Sequence, residues 1–214
     1  IKGLMVNTKN ANTFTGKQGF DSLDLMAKNL SKSLTIRESK SESGVEEAIK
    51  MKDILFASTG VIGEKFPINK VSQTIQPLVD KLKEEQNKFI WLKSASAIMT
   101  TDTRPKLAYE EFNVGNKIIK IAGIAKGSGM IAPNMATMLS FIFTDANIPS
   151  VFLKSILKKV TSTTFNSITV DSDTSTSDTV LLFATGQAAH KEISNINDKN
   201  LKNFRVGLDA VMLD

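Results

Sequence analysis

The run KGSGMIAPNMATML, Lys126 to Leu139, decides the reading of this chain. Gly127 and Gly129 permit positive φ, and Pro133 fixes its own φ while restricting Ala132 before it, so the segment is a shaped loop. Directly after it come Met138, Leu139, Ser140, Phe141, Ile142 and Phe143, an apolar stretch of strand length. Thr137 therefore stands where an irregular loop enters a buried strand. Loops held by a rigid scaffold are where binding and catalytic residues concentrate.

Outward from this junction, Leu107–Phe112 and Ile118–Ala125 read as strands of a hairpin turning at Asn113–Asn116. Leu139–Thr144 is a strand and Pro149–Phe165 a helix. Ser167–Val170 and Thr179–Ala184 read as strands on either side of an Asp/Ser/Thr loop, and Phe204, Leu208, Val211 and Met212 repeat at helical spacing. Upstream, Ile1–Asn7 reads as a strand entering a Gly/Asn/Thr loop. Phe20, Leu23, Leu25, Met26, Leu30 and Leu34 then mark a helix started by Asp21 or Ser22. Asp53–Ser58 is a short strand, Thr59–Phe66 a turn, and Pro67 a good first residue for a helix over Ile68–Gln86. Phe89–Met99 is a further helix. Strands and helices do not alternate regularly, which argues for an α+β protein with mixed β-sheets and flanking helices, and against a doubly wound sheet.

A chain of 214 residues with this composition is globular. No apolar run approaches the ~18 residues of a membrane span, and no signal-peptide pattern is present, so the expectation is a cytoplasmic protein without membrane partners. The absence of cysteine excludes disulfides, a thiolate nucleophile and a Cys-based zinc site. The net charge of +5 comes from lysines scattered among acidic residues, without a basic face or stacking aromatics, so nucleic acid is not an expected partner. A mildly positive field would draw in an anionic substrate. Ile1 lies inside an apolar run and Asp214 inside a helical pattern, so both ends read as cut.

KGSGMIAPNMATML, with STGVIG at Ser58–Gly63, IMTTDT at Ile98–Thr103 and ITVDSDTSTSDT at Ile168–Thr179, resembles the bacterial ornithine acetyltransferases, also called glutamate N-acetyltransferases. The motifs occur in the family's order, and the resemblance runs from about Val6 to the last residue. It implies the mixed α+β fold that this family shares with DmpA-like aminopeptidases. It implies that the chain is roughly the family's central half, without the start of the first subunit and the later part of the second. It implies autocatalytic cleavage between Ala136 and Thr137, making residues 1–136 part of an α chain and 137–214 part of a β chain, assembled as α2β2. The implied reaction is ping-pong transfer of an acetyl group from N-acetylornithine to glutamate in arginine biosynthesis. No metal or organic cofactor is implied, although some members accept acetyl-CoA as donor.

Threonine is a weak nucleophile without a base, and His190, the only histidine, lies in a polar stretch far along the chain. Cleavage before Thr137 would free an α-amine of pKa about 8, able to act as that base. The resemblance assigns Thr137 as nucleophile, Thr59 and Gly60 to the oxyanion, and Lys126 with Thr100 to substrate, Thr101 remaining an alternative to Thr100. Glycine at 60 lets a backbone approach closely, and turns between strand and helix often carry free amides. In VDSDTSTSDT, Asp171, Asp173 and Asp178 suggest a calcium loop, but the required glycine and terminal glutamate are missing, so they are expected to brace the backbone. Gly123, Gly127 and Gly129 lack the Gly/Lys/Ser ending of a phosphate loop. Lys9, Ser172 and Ser177 depart from the family's frequent glycine, glycine and asparagine. Two other readings remain open: an amino-terminal nucleophile hydrolase or aminopeptidase of related fold, and a binding module that never matures.

Overall fold

A computed structural model describes residues 1–39, 48–82, 87–128, 138–169, 175 and 177–214. The chain forms two compact units, Ile1–Asn87 and Lys88–Asp214, and its mixture of sheets and helices is α+β.

In the first unit, β1 (Gly3–Asn7) and β2 (Ile54–Ser58) pair in parallel, Gly3 opposite Ile54 and Asn7 opposite Ser58. Helix α1 (Gly16–Ser39) packs against α2 (Ile68–Lys81). Leu30 and Leu34, like Ile75 and Val79, are four residues apart and so share a helix face; with Ile49 and Ile54 they form the core. Helix α1 starts earlier than Asp21 or Ser22. Its first turn is secured by tertiary bonds that no apolar period announces: Gln18 bonds both the carbonyl and the amide of Phe66 at 3.0 Å, and Asn12 Nδ2 donates to the Gly19 carbonyl at 3.0 Å. Ser22 is no cap, since its hydroxyl donates to the Gln18 carbonyl at 2.7 Å inside the helix. Pro67 stands just before α2, which ends at Lys81, short of the expected Gln86; residues 83–86 lie outside the described ones.

The second unit is built on a sheet of order β3 (Lys106–Val114), β4 (Lys117–Lys126), β5 (Leu139–Thr144) and β6 (Thr179–Ala184). The β3–β4 and β4–β5 pairs are antiparallel and the β5–β6 pair is parallel. The hairpin closes with Val114 opposite Lys117 around Gly115, whose φ of +62° suits glycine. Central β5 is buried along most of its length, as its continuous apolar run requires. Helices α3 (Lys88–Ala97), α4 (Ser150–Thr161) and α5 (Lys199–Leu213) complete the unit. Phe204 and Leu208 of α5 are fully buried with Ile119, Ile121 and Ile142 of the sheet. Gly207 lets α5 press on β3, because a Cβ there would sit 2.4 Å from Phe112 Cε1.

Helix α4 ends at Thr161, short of the expected Phe165. The hydroxyls of Thr163 and Thr164 take the Val160 carbonyl at 3.1 and 2.8 Å, competing with continuation of the helix. Phe165–Ser167 then forms a 3-10 turn, so Ser167 does not open the strand expected over Ser167–Val170; Val170 lies outside the described residues. The division expected at Ala136 and Thr137 falls within the second unit, between neighbouring β4 and β5.

Candidate active site

Lys126, Leu139 and Thr179 form one row across the sheet, at the end where β4 stops and β5 and β6 begin. Buried groups gather there. Lys126 is only 3% exposed, and its Nζ donates to Thr100 Oγ1 at a long 3.4 Å. No carboxylate lies within ion-pair distance of it among the described residues. An ammonium has three donors, so among the described residues this one is short of acceptors. Burial pulls its pKa below the ordinary lysine value, reinforced by Lys106 and opposed by Asp102 and Asp178. Such a cation suits a carboxylate ligand, which would supply the missing acceptors.

Asp102 organises the loop beside it. Its side chain is fully buried; Oδ1 accepts from Lys106 Nζ and the Gly127 amide at 2.6 Å each, and Oδ2 accepts from the Thr100 amide at 3.2 Å. Burial would push this carboxyl up, but the Lys106 and amide hydrogen bonds and the Lys106 charge outweigh it and hold it below the ordinary aspartate value. Asp102 thus ties the start of β3, the end of β4 and the residue that contacts Lys126. Sequence reasoning did not single it out: its one signal is an acidic residue among hydroxyls in IMTTDT, and the Gly127 amide it accepts from is 25 residues away. Thr101, by contrast, pairs with Ser128, Oγ to Oγ at 3.0 Å, on the exposed side.

Asp178 lies across the row. Its Oδ1 accepts from the Met138 amide at 2.5 Å, and Oδ2 is shut off from solvent without a partner among the described residues. Burial pushes its carboxyl up to about 6, against the opposing Met138 amide and Lys126 charge. Ala136, Thr137, Asp171, Ser172 and Asp173 lie outside the described residues. Among the described residues no group of His, Cys, Asp or Glu could hold a metal, and no helix is long and apolar enough to cross a membrane.

The turn at Thr59 and Gly60 lies in the first unit. The Thr59 amide is engaged with the Asn7 carbonyl at 3.1 Å, so it is not a free donor. The Gly60 amide and the Thr59 hydroxyl have no hydrogen-bond partner among the described residues, and they are the donors this turn can offer. Gly60 has φ +132°, and a Cβ there would lie 2.3 Å from the Lys9 carbonyl carbon, so the approach admits only glycine. Lys9 itself has φ +75°, in the left-handed region that favours glycine. His190 is buried and committed to backbone: Nε2 accepts from the Asn147 amide at 2.8 Å, which assigns the proton to Nδ1, 2.7 Å from the Lys191 carbonyl.

A family model described as the ArgJ family matches residues 1–214. The arginine biosynthesis bifunctional protein ArgJ of Caulobacter vibrioides is 43% identical over 214 residues, covering 100% of this chain and 49% of that protein. The Rhizobium meliloti protein of the same name is 44% identical over 216 residues, covering 100% and 48%. Among solved structures, the ArgJ protein of Bacillus halodurans is 30% identical, with a TM-score of 0.46 over 62% of this chain and 61% of that one. The chain spans about half the length of the curated relatives it matches. Matched from its first residue to its last, it belongs to the ArgJ family.

Proposed function

We propose that this chain is the central part of a cytoplasmic glutamate N-acetyltransferase of arginine biosynthesis that moves an acetyl group from N2-acetylornithine to glutamate through an acetyl-threonine intermediate. Supporting it most directly is buried Lys126, poor in acceptors among the described residues and paired with Leu139 of β5, two positions after Thr137 in the sequence, in a chain of the ArgJ family. Lys126, with Thr100 beside it, receives the α-carboxylate of the amino-acid substrate. Maturation breaks the Ala136–Thr137 amide: the Thr137 hydroxyl attacks the Ala136 carbonyl, and water hydrolyses the resulting ester, leaving a carboxylate on Ala136 and an amine on Thr137. The fragments remain joined by the hydrogen bonds of β4 to β5, and two of each make α2β2.

In the transfer, the α-amine of Thr137 takes the hydroxyl proton as Oγ bonds to the acetyl carbon. The Thr59 hydroxyl and Gly60 amide are the oxyanion donors, such a donor contributing on the order of 3 kcal/mol. Collapse breaks the carbon–nitrogen bond and returns the proton to the leaving ornithine amine. The glutamate amine then attacks the ester carbon, gives a proton through the same α-amine, and leaves as N-acetylglutamate while Oγ is reprotonated. No cofactor takes part; acetyl-CoA would serve only as another donor.

Mass spectrometry of the full-length protein should show two chains, one ending at Ala136 and the other beginning at Thr137, and the Thr137→Ala variant a single uncut chain. The trapped acetyl-enzyme should be short-lived with glutamate and long-lived without it. Equal lifetimes would favour a hydrolase instead, and an uncut, unacetylated protein a binding module.

A further inference from the structure

The β3–β4 ladder closes at Lys106 opposite Ala125, and β4 pairs with β5 for one residue more, Lys126 opposite Leu139. Gly127, with φ +143°, follows this last paired residue. Asp102 takes hold at that point: Oδ1 accepts from the Gly127 amide at 2.6 Å, and Oδ2 from the Thr100 amide at 3.2 Å. The Gly127 nitrogen belongs to the planar peptide whose carbonyl is that of Lys126, so one carboxylate fixes the backbone at both Lys126 and Thr100. These are the residues whose side chains meet, Lys126 Nζ donating to Thr100 Oγ1 at 3.4 Å. That contact is too long to hold an ammonium on a flexible four-carbon stem, so the placement of both groups depends on the backbone beneath them. Sheet register does not need Asp102, being set by the hairpin itself. Burying a carboxylate is costly. Lys106 Nζ at 2.6 Å offsets part of that cost, and the negative charge of Asp102 opposes the burial that pulls the Lys126 pKa down.

We propose that Asp102 is a positioning residue for substrate recognition: it clamps the Thr100 backbone and the peptide after Lys126, so that the Thr100 hydroxyl and the Lys126 ammonium meet the substrate's α-carboxylate together. This rests on the reading of Lys126 and Thr100 as the partners of that carboxylate. Asp102 itself touches neither substrate nor reacting atoms. Its loss therefore weakens the preference for ligands that carry the carboxylate, and leaves ligands without one unaffected.

The test uses the full-length protein and compares ornithine with putrescine, which is ornithine without its carboxylate, as inhibitors of transfer from N2-acetylornithine. In Asp102→Asn the inhibition constant of ornithine should rise about tenfold while that of putrescine stays within about twofold. A loosened fold would instead weaken both alike and keep their ratio. Per molecule able to take the acetyl group, KM for N2-acetylornithine and for glutamate should rise with kcat nearly unchanged, because both substrates carry the carboxylate. Asp102→Glu, which keeps the charge but moves the oxygens by one methylene, should also reduce the ratio, and replaces the Asn variant if that one does not fold. Lys126→Met should abolish the preference for ornithine. If the Asp102 variants keep the parent's ratio while Lys126→Met loses it, the positioning role is overturned and the carboxylate reading stands. If Lys126→Met keeps the ratio, both fall.

Discussion

Removing the Asp102 carboxylate is the perturbation whose cost the structure sets most clearly. Asp102→Ala leaves the Gly127 amide, the Thr100 amide and Lys106 without their acceptor. Lys106 is 48% exposed and can turn to water, so its loss counts for little. The Gly127 amide is buried, and losing a charged acceptor for such a donor costs about 1.5–3 kcal/mol. The longer Thr100 bond adds about 1 kcal/mol, bringing the expected destabilisation to about 3 kcal/mol. Urea denaturation at pH 7 should show it as a lower midpoint at unchanged slope. Asp102→Asn, which keeps one oxygen acceptor, should lose roughly half as much. The pH dependence has a definite sign. Because folding holds Asp102 below its ordinary value of 3.8, the stabilisation is full above that value and is lost as pH falls through the lower folded value. A loss under ~0.5 kcal/mol for Asp102→Ala, ordinary for a surface site, would refute the hub.

Lys9→Gly should raise stability by about 1 kcal/mol, relieving a lysine at φ +75°; unchanged or lower thermal stability would contradict the strain. Gly207→Ala should cost about 2 kcal/mol by calorimetry, since its Cβ would fall 2.4 Å from the Phe112 ring. Asp178→Asn should be at least as stable as the parent at pH 8. The folded carboxyl titrates near 6 against an ordinary 3.8, so the folded state binds more protons in that interval and stability falls as pH rises through it. The variant should lack this fall, and a parent without it would contradict the burial of Asp178.

Local chemistry determined a good part of this protein from sequence alone. The apolar run of β5, the strand β6 and the hairpin around Gly115 were legible because burial on a sheet selects continuous or alternating apolar residues, and a tight turn selects glycine. Helix α5 announced itself by the helical spacing of Phe204, Leu208, Val211 and Met212, and α2 by Pro67 at its start. The first turn of α1 did not, being secured by Gln18 reaching Phe66, and α4 stopped early as the Thr163 and Thr164 hydroxyls took the Val160 carbonyl. The motifs marked Lys126, Thr100 and the Thr59–Gly60 turn as candidates. Only the tertiary structure decided that Lys126 is buried with few acceptors among the described residues, that the Thr59 amide is already engaged, and that Asp102 and Asp178 grip the backbone of Gly127 and Met138. The physical reason is that such carboxylates bind amides through space: Asp102 meets Gly127 only once β3 has paired with β4, and Asp178 meets Met138 only once β5 has paired with β6.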